Sequence, residues 1–197
     1  MYRSRLVGKE VNNEAMDGIF AGTPPLEALR CLIHEAATIR TGQDPNLKVI
    51  MINDVARAFF EAPAVRQVCV ELPEEDRTPE DVKRDHVGHL QMSLYGTRDA
   101  AMNWQEEVAK EMSKWGFRRG RYNPCLYYNA ETGLMTLVHG DDFVSVGNVE
   151  AAQKFRSQLE SRFEIKTQLL GADGVVMSAR ATTTEAEHVL REGRILN

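Results

Sequence analysis

Two apolar runs, Leu134-Met135-Thr136-Leu137-Val138 and Phe143-Val144-Ser145-Val146-Gly147, are separated only by His139-Gly140-Asp141-Asp142. A gap that short holds a tight turn and little else, so the runs read as buried strands of one β-hairpin with adjacent carboxylates at its tip. The chain is thereby committed to a sheet. Two readings of the tip stand open at this stage. Gly and Asp are common turn residues, so the tip is a polar turn; or the paired carboxylates serve a divalent cation.

The 197 residues, 43% of them apolar, suffice for one ordinary domain or a core with a small appended lobe. No window approaches the roughly 20 apolar residues that cross a bilayer, and Met1-Tyr2-Arg3-Ser4-Arg5 opens no signal peptide, so a soluble chain without a membrane partner is expected. Cys31, Cys69 and Cys125 are widely spaced and odd in number, a pattern for reduced core thiols rather than disulfides or zinc. With 24 basic against 29 acidic residues the net charge is −5, which disfavours a chain that must grip nucleic acid unaided. Basic residues do gather at Arg3 and Arg5, and from Lys114 to Arg121 among Trp115, Phe117 and Tyr122. The second cluster reads as a solvated face with core aromatics, or as a phosphate track.

Along the chain, Leu26, Leu29, Leu32, Ile33 and Ala36 recur at helical spacing after Thr23-Pro24-Pro25 and predict a helix to about Arg40. Leu47 to Asn53 predicts a strand that delivers Asp54 at its end, and Val68 to Leu72 another strand. Pro73 to Asp85 reads as a charged connector without chemistry, and Asp85-His86-x-x-His89 as solvated polar sequence lacking a third metal ligand. Ala100, Ala101, Trp104, Val108 and Met112 mark an amphipathic helix ended by Gly116. Strands at Leu126 to Tyr128 and Leu134 to Val138, a helix capped by Asn148 and running to about Phe163, and a last strand to about Leu169 complete the series. The expected class is α+β: a ferredoxin-like βαββαβ antiparallel sheet with helices on one face, which brings Asp54 beside Asp141 and Asp142. Three carboxylates on neighbouring strands are what two-metal phosphoryl transfer requires, since two divalent ions about 3.5–4 Å apart want hard oxygen ligands.

Several segments in register resemble the reverse transcriptases of copia-type retrotransposons. They are Asp54-Val55-Ala56-Arg57-Ala58-Phe59-Phe60, Ser93-Leu94-Tyr95-Gly96-Thr97-Arg98-Asp99-Ala100-Ala101 and Gly140-Asp141-Asp142. Tyr2-Arg3-Ser4-Arg5-Leu6-Val7, Phe20 to Leu32, Trp115-Gly116-Phe117 and Asn123-Pro124-Cys125-Leu126-Tyr127-Tyr128 extend the likeness over roughly residues 1 to 171. The resemblance implies an RNA-directed DNA polymerase in which Asp54, Asp141 and Asp142, with the Val55 carbonyl, hold two Mg²⁺ ions, Mn²⁺ being a substitute. It implies that Phe59 packs under the incoming sugar and excludes a 2′-hydroxyl, its plain alternative being a core aromatic. Arg3 and Arg5 match positions that hold triphosphate, a task suited to guanidinium forks. Tyr95, Gly96 and Arg98 resemble the stretch lying against nucleotide and template, Gly96 admitting close backbone approach.

The implied partners are an RNA or DNA template-primer and dNTPs, and the implied location is cytoplasmic and/or nuclear. The implied layout is partial fingers over 1–46, a palm over 47–171 with an inserted fingers segment at about 61–96, and a truncated extension over 172–197. A second chain is then the expected source of thumb or RNase H. The family usually places an aromatic and a small apolar residue before the paired aspartates, where this chain has His139 and Gly140. His139 reads as filling the aromatic's place on the primer side rather than tuning the metals. Two further readings compete: a palm remnant without catalysis that binds a partner or has no selected role, and another palm nucleotidyl transferase such as a nucleotide cyclase.

Overall fold

The computed structural model describes residues 7–11, 18–38 and 48–170. It divides into two compact units, one of residues 1–21 and 57–108 and the other of residues 22–56 and 109–197.

The second unit is built on a six-stranded sheet. Its strands are β1 (Lys48–Val55), β4 (Phe117–Arg119), β5 (Leu126–Asn129), β6 (Met135–His139), β7 (Asp142–Asn148) and β8 (Ile165–Leu170), with β2 (Cys69–Glu71) and β3 (Val87–His89) falling in the other unit. The order across the sheet is β4-β5-β6-β7-β1-β8, and every neighbouring pair is antiparallel. An α+β class is therefore observed. β1 is enclosed between β7 and β8, and Asp54 lies inside it rather than beyond its end. The predicted hairpin forms, with Gly140 and Asp141 as its two-residue turn and Asp142 as the first residue of β7. β4, a three-residue strand after Gly116, carries no alternation long enough to be visible in the sequence.

Among the described residues, helices pack on both faces of this sheet. α1 (Leu26–Ala37) follows Pro25, which takes the extended conformation of an N-cap. At its other end the Lys48 ammonium donates to the carbonyls of Glu35 (3.0 Å) and Thr38 (2.7 Å), satisfying groups that a helix terminus leaves open. α1 places Leu29 and Leu32 against Leu137, Val144 and Val146. α4 (Val149–Arg162) starts where the Asn148 side chain accepts from the Ala151 N–H at 2.7 Å. Its Phe155 meets Phe143 (6.5 Å between rings), Phe117 (4.9 Å) and Trp115 (6.0 Å). Val144 and Phe143 point to opposite faces because side chains alternate along a strand. Helices thus cover both faces of the sheet, where the sequence reading had them on one; the difference is α1, whose apolar stripe takes the second face.

The first unit contains a 3-10 turn at Ala58–Glu61 and a short antiparallel pair, β2 (Cys69–Glu71) with β3 (Val87–His89). Between them lies α2 (Pro79–Arg84), inside the segment read as a plain connector. Thr78 and Asp81 form a reciprocal capping box with Pro79 at the first helical position, a start signal that was present in the sequence. α3 (Ala100–Lys114) begins in this unit, and its residues from Ala109 onward count to the other.

Phe155 holds three aromatic neighbours and is 1% exposed. Phe155→Ala is expected to destabilise the fold by about 3–5 kcal/mol, the range for emptying an aromatic core position. A urea titration followed by tryptophan fluorescence checks this; an unchanged midpoint would contradict the packing.

Candidate active site

β1 and β7 are paired so that Asp54 lies directly opposite Asp142, with Ile52 opposite Val144 and Ile50 opposite Val146. Residues directly opposite in an antiparallel pair share a face, so both carboxylates project from the side of the sheet that carries Val144 and Val146. The row continues outward on both sides: His139 is opposite Asp142 on β6, and Lys166 is opposite Asp54 on β8. Asp141 is fixed by its backbone, because the Val55 N–H donates to the Asp141 carbonyl at 3.0 Å and ties the turn to the end of β1. Gly140 has φ +61°, while Asp141 has no positive φ. A left-handed first central residue alone is the pattern of a II′ turn, and glycine adopts it without strain.

Charge crowds this end of the sheet. The Asp142 carboxyl is pushed up to about 6 by partial burial and then by the negative charges of Asp141 and Asp54, while His139 opposes the rise. The three side chains therefore feel one another, as the hairpin geometry requires. Their chemistry fits a divalent cation, since hard cations take oxygen ligands. Among the described residues, however, no three Asp, Glu, His or Cys side chains are gathered closely enough to hold an ion.

In the first unit the ring of Phe59 stacks on Tyr95 at 4.4 Å, and Phe60 meets Tyr95 edge-on at 5.5 Å. Gly96 has φ +92°, and a Cβ there would run into the Gly8 carbonyl; Gly8 in turn donates its N–H to the Tyr95 carbonyl at 2.6 Å. The close approach at Gly96 is to the backbone of Gly8. Arg98 donates its N–H to Glu10 at 2.8 Å. Arg66 bridges Glu10 (2.9 Å) and the buried Asp99 (2.8 Å), and Asp99 also accepts from Asn103, which reaches Ser93.

Asp54, Asp141, Asp142 and Val55 are brought together in one unit, and Phe59, Tyr95, Gly96 and Arg98 belong to the other. Arg3 and Arg5 lie outside the described residues. His86 is engaged with Asp81 at 2.9 Å, and His89 is exposed beside Gln91. Sequence reading missed Lys166 and Arg66. Lys166 shows only through strand register, and Arg66 only through the contacts that Asp99 makes.

Asp142 and Asp99 titrate with opposite consequences. Asp142 binds its proton more tightly when folded than at the ordinary value of about 4, so it lowers stability as pH rises from about 4 to about 6. Asp99 is held below the ordinary range by its hydrogen bond to Arg66, against the cost of burial, so it adds stability above about 4 that is lost as pH falls through its folded value. At pH 7 without divalent ions, Asp142→Asn is expected to melt above the parent chain and Asp99→Asn below it. Both differences should shrink toward zero in acid, that of Asp142 by about pH 4. Thermal scans across pH check the signs, and a lower melting point for Asp142→Asn at pH 7 would refute the crowding.

Residues 1–173 match the family model described as reverse transcriptase (RNA-dependent DNA polymerase). The chain is 24% identical over 172 residues to the retrovirus-related Pol polyprotein from transposon TNT 1-94 of Nicotiana tabacum, an alignment covering 84% of this chain and 12% of that one. The chain therefore spans about an eighth of the length of this curated relative. No solved structure matches it significantly. With the match covering most of its length, the chain belongs to the reverse transcriptase (RNA-dependent DNA polymerase) family, as a domain of the copia type.

Proposed function

We propose that this domain transfers a deoxynucleoside monophosphate from a dNTP to a primer 3′-hydroxyl on an RNA template, releasing pyrophosphate. The observation that carries the reading is the register Asp54 opposite Asp142, with the turn carbonyl of Asp141 bonded to Val55, in a chain of this family. The strand order β8-β1-β7-β6, with α3 in the connection from β1 to β6 and α4 between β7 and β8, supports a palm of βαββαβ type.

In this reading Asp54, Asp141 and Asp142, with the Val55 carbonyl, hold two Mg²⁺ ions or Mn²⁺ in their place. Such ions, when bound, lower the pKa of an attacking hydroxyl and offset charge on the leaving pyrophosphate. The chain's own part is placement. The II′ turn and the Val55 bond hold two carboxylates at fixed positions beside a third on β1, so little ordering remains when the site fills. Phe59, supported by the Tyr95 ring, is the candidate steric gate. Arg3 and Arg5 are assigned to the triphosphate, and Tyr95, Gly96 and Arg98 to nucleotide and template. A template-primer and dNTPs are the substrates, and a second chain is a further proposed partner.

A palm remnant without catalysis has one observation in its favour, the absence of a gathered three-ligand group among the described residues. Incorporation on a primed RNA template with Mg²⁺ separates the two. Asp141→Asn is expected to abolish incorporation while leaving the circular dichroism spectrum intact, since it removes a charged oxygen ligand at constant size. Incorporation unaltered in that variant would sink the assignment, and no incorporation by a folded parent would favour the remnant. Phe59→Ala is expected to raise ribonucleotide incorporation relative to deoxynucleotide, and an unchanged ratio would remove Phe59 from the gate role.

A further inference from the structure

The interval between Glu111 and Glu131 contains no acidic residue and four basic ones, Lys114, Arg118, Arg119 and Arg121, in a chain whose net charge is −5. Folding sorts the aromatics of this interval. Phe117 goes into the core against Phe155, whereas Tyr122 is 94% exposed and Tyr128 47% exposed. Lys114 is paired with Glu111, and the Arg119 guanidinium donates to the Pro124 carbonyl. Arg118 and Arg121 make no ion pair among the described residues. Arg118 stands directly opposite Tyr128 across the β4–β5 pair, and the Arg121 guanidinium lies 5.9 Å from the centre of the Tyr122 ring. Two arginine–tyrosine pairs, Arg118 with Tyr128 and Arg121 with Tyr122, are therefore presented by β4, β5 and the loop between them.

The loop that presents them is built. The Gly120 N–H donates to the Leu126 carbonyl at 2.7 Å, the Leu126 N–H donates to the Asn123 carbonyl at 3.2 Å, and the Cys125 N–H donates to the Asn123 side chain at 3.0 Å. A Cβ at Gly120 would press on the Asn123 carbonyl, so the turn closes tightly only with glycine. Register also sets direction. Arg118 lies opposite Tyr128, Tyr128 opposite Met135, and Met135 opposite Val146, so Arg118 and Tyr128 share the sheet face that carries Asp142 and Asp54. At about 4.8 Å per strand, β4 lies roughly 14 Å from β7.

We propose that this β4–β5 edge, through Arg118, Arg121, Tyr122 and Tyr128, is a binding surface for single-stranded nucleic acid, separate from the carboxylate site. Guanidinium groups engage the phosphates and the tyrosine rings stack on unpaired bases, a combination that tolerates any sequence. A phosphorylated or acidic protein would satisfy the arginines but would leave the two exposed rings unused. The surface goes beyond the proposed polymerase chemistry, since it needs none of the three carboxylates.

The test is fluorescence anisotropy of a labelled 20-nucleotide single-stranded RNA titrated with the full chain at several salt concentrations. The parent is expected to bind. Arg118→Ala with Arg121→Ala should weaken binding at least tenfold at low salt and reduce the slope of log K against log salt by about 1.4, two phosphate contacts on a single strand. Tyr122→Ala with Tyr128→Ala should weaken binding at least fivefold, while the paired substitutions to Phe keep it, because stacking needs the ring and not the hydroxyl. An arginine variant that is folded by circular dichroism yet binds with parental affinity and salt slope overturns the proposal, as does a parent that binds no RNA at low salt. If binding follows this edge while no chain incorporates nucleotide, the surface stands and the polymerase reading fails. If incorporation is intact and binding ignores the edge, the surface fails alone.

Discussion

The pairing of β1 with β7 is the constraint on which the second unit rests. β1 is hydrogen-bonded on both sides, and its alternation of Val49, Met51, Asn53 and Val55 with Ile50, Ile52 and Asp54 divides it between two helix-covered faces. A slip of one residue would exchange every side chain between those faces, placing Asp54 in the layer of Phe143 and Met51 in the layer of Val144. The cost of burying an unpaired carboxylate excludes that alternative. The same register that packs the core therefore also sets Asp54 opposite Asp142, so fold and candidate site are not independent properties.

Holding those carboxylates together works against stability. Asp142 is raised because it is partly buried and shares the end of the sheet with Asp141 and Asp54, and among the described residues no ion pair to these carboxylates relieves that crowding. In the first unit the opposite arrangement appears, since Arg66 lies between Glu10 and Asp99 and its charge lowers the proton affinity of both carboxyls. One acidic group is compensated to brace the Ser93–Asp99 segment; the other is left repelling its neighbours. Uncompensated like charge at a rigid turn is a common mark of function, because nothing in folding selects for it.

The hairpin was legible because its two strands are apolar and adjacent in sequence, and α1, α3 and α4 because their apolar residues recur at helical spacing. Neighbouring strands in sequence pair most readily, which accounts for the run β4-β5-β6-β7, whereas the place of β1 between β7 and β8 came only from the βαββαβ pattern. β3 and β4 were missed, being three residues each and too short for alternation to register. α2 was missed for another reason: in six residues it has no apolar stripe, and only its capping box announces it. Of the candidate site, the juxtaposition of Asp54 with the Asp141–Asp142 turn was legible from residue type and position. Lys166 was invisible, since its place opposite Asp54 depends on the pairing of strands separated by more than a hundred residues.

The basic interval from Lys114 to Arg121 shows how composition misleads when averaged. A net charge of −5 speaks against a polyanion partner only if charge is evenly spread, and here it is segregated. Within a Debye length of about 10 Å, a ligand experiences the local array and not the sum. Sequence alone left open whether the interleaved aromatics were core or contact. The structure divides them: Phe117 belongs to the core and Tyr122 to the surface, five residues apart on either side of a glycine turn. An exposed ring beside an arginine leaves a stacking face and a charge open to a ligand, and a single strand offers both the base and the phosphate that such a pair accepts.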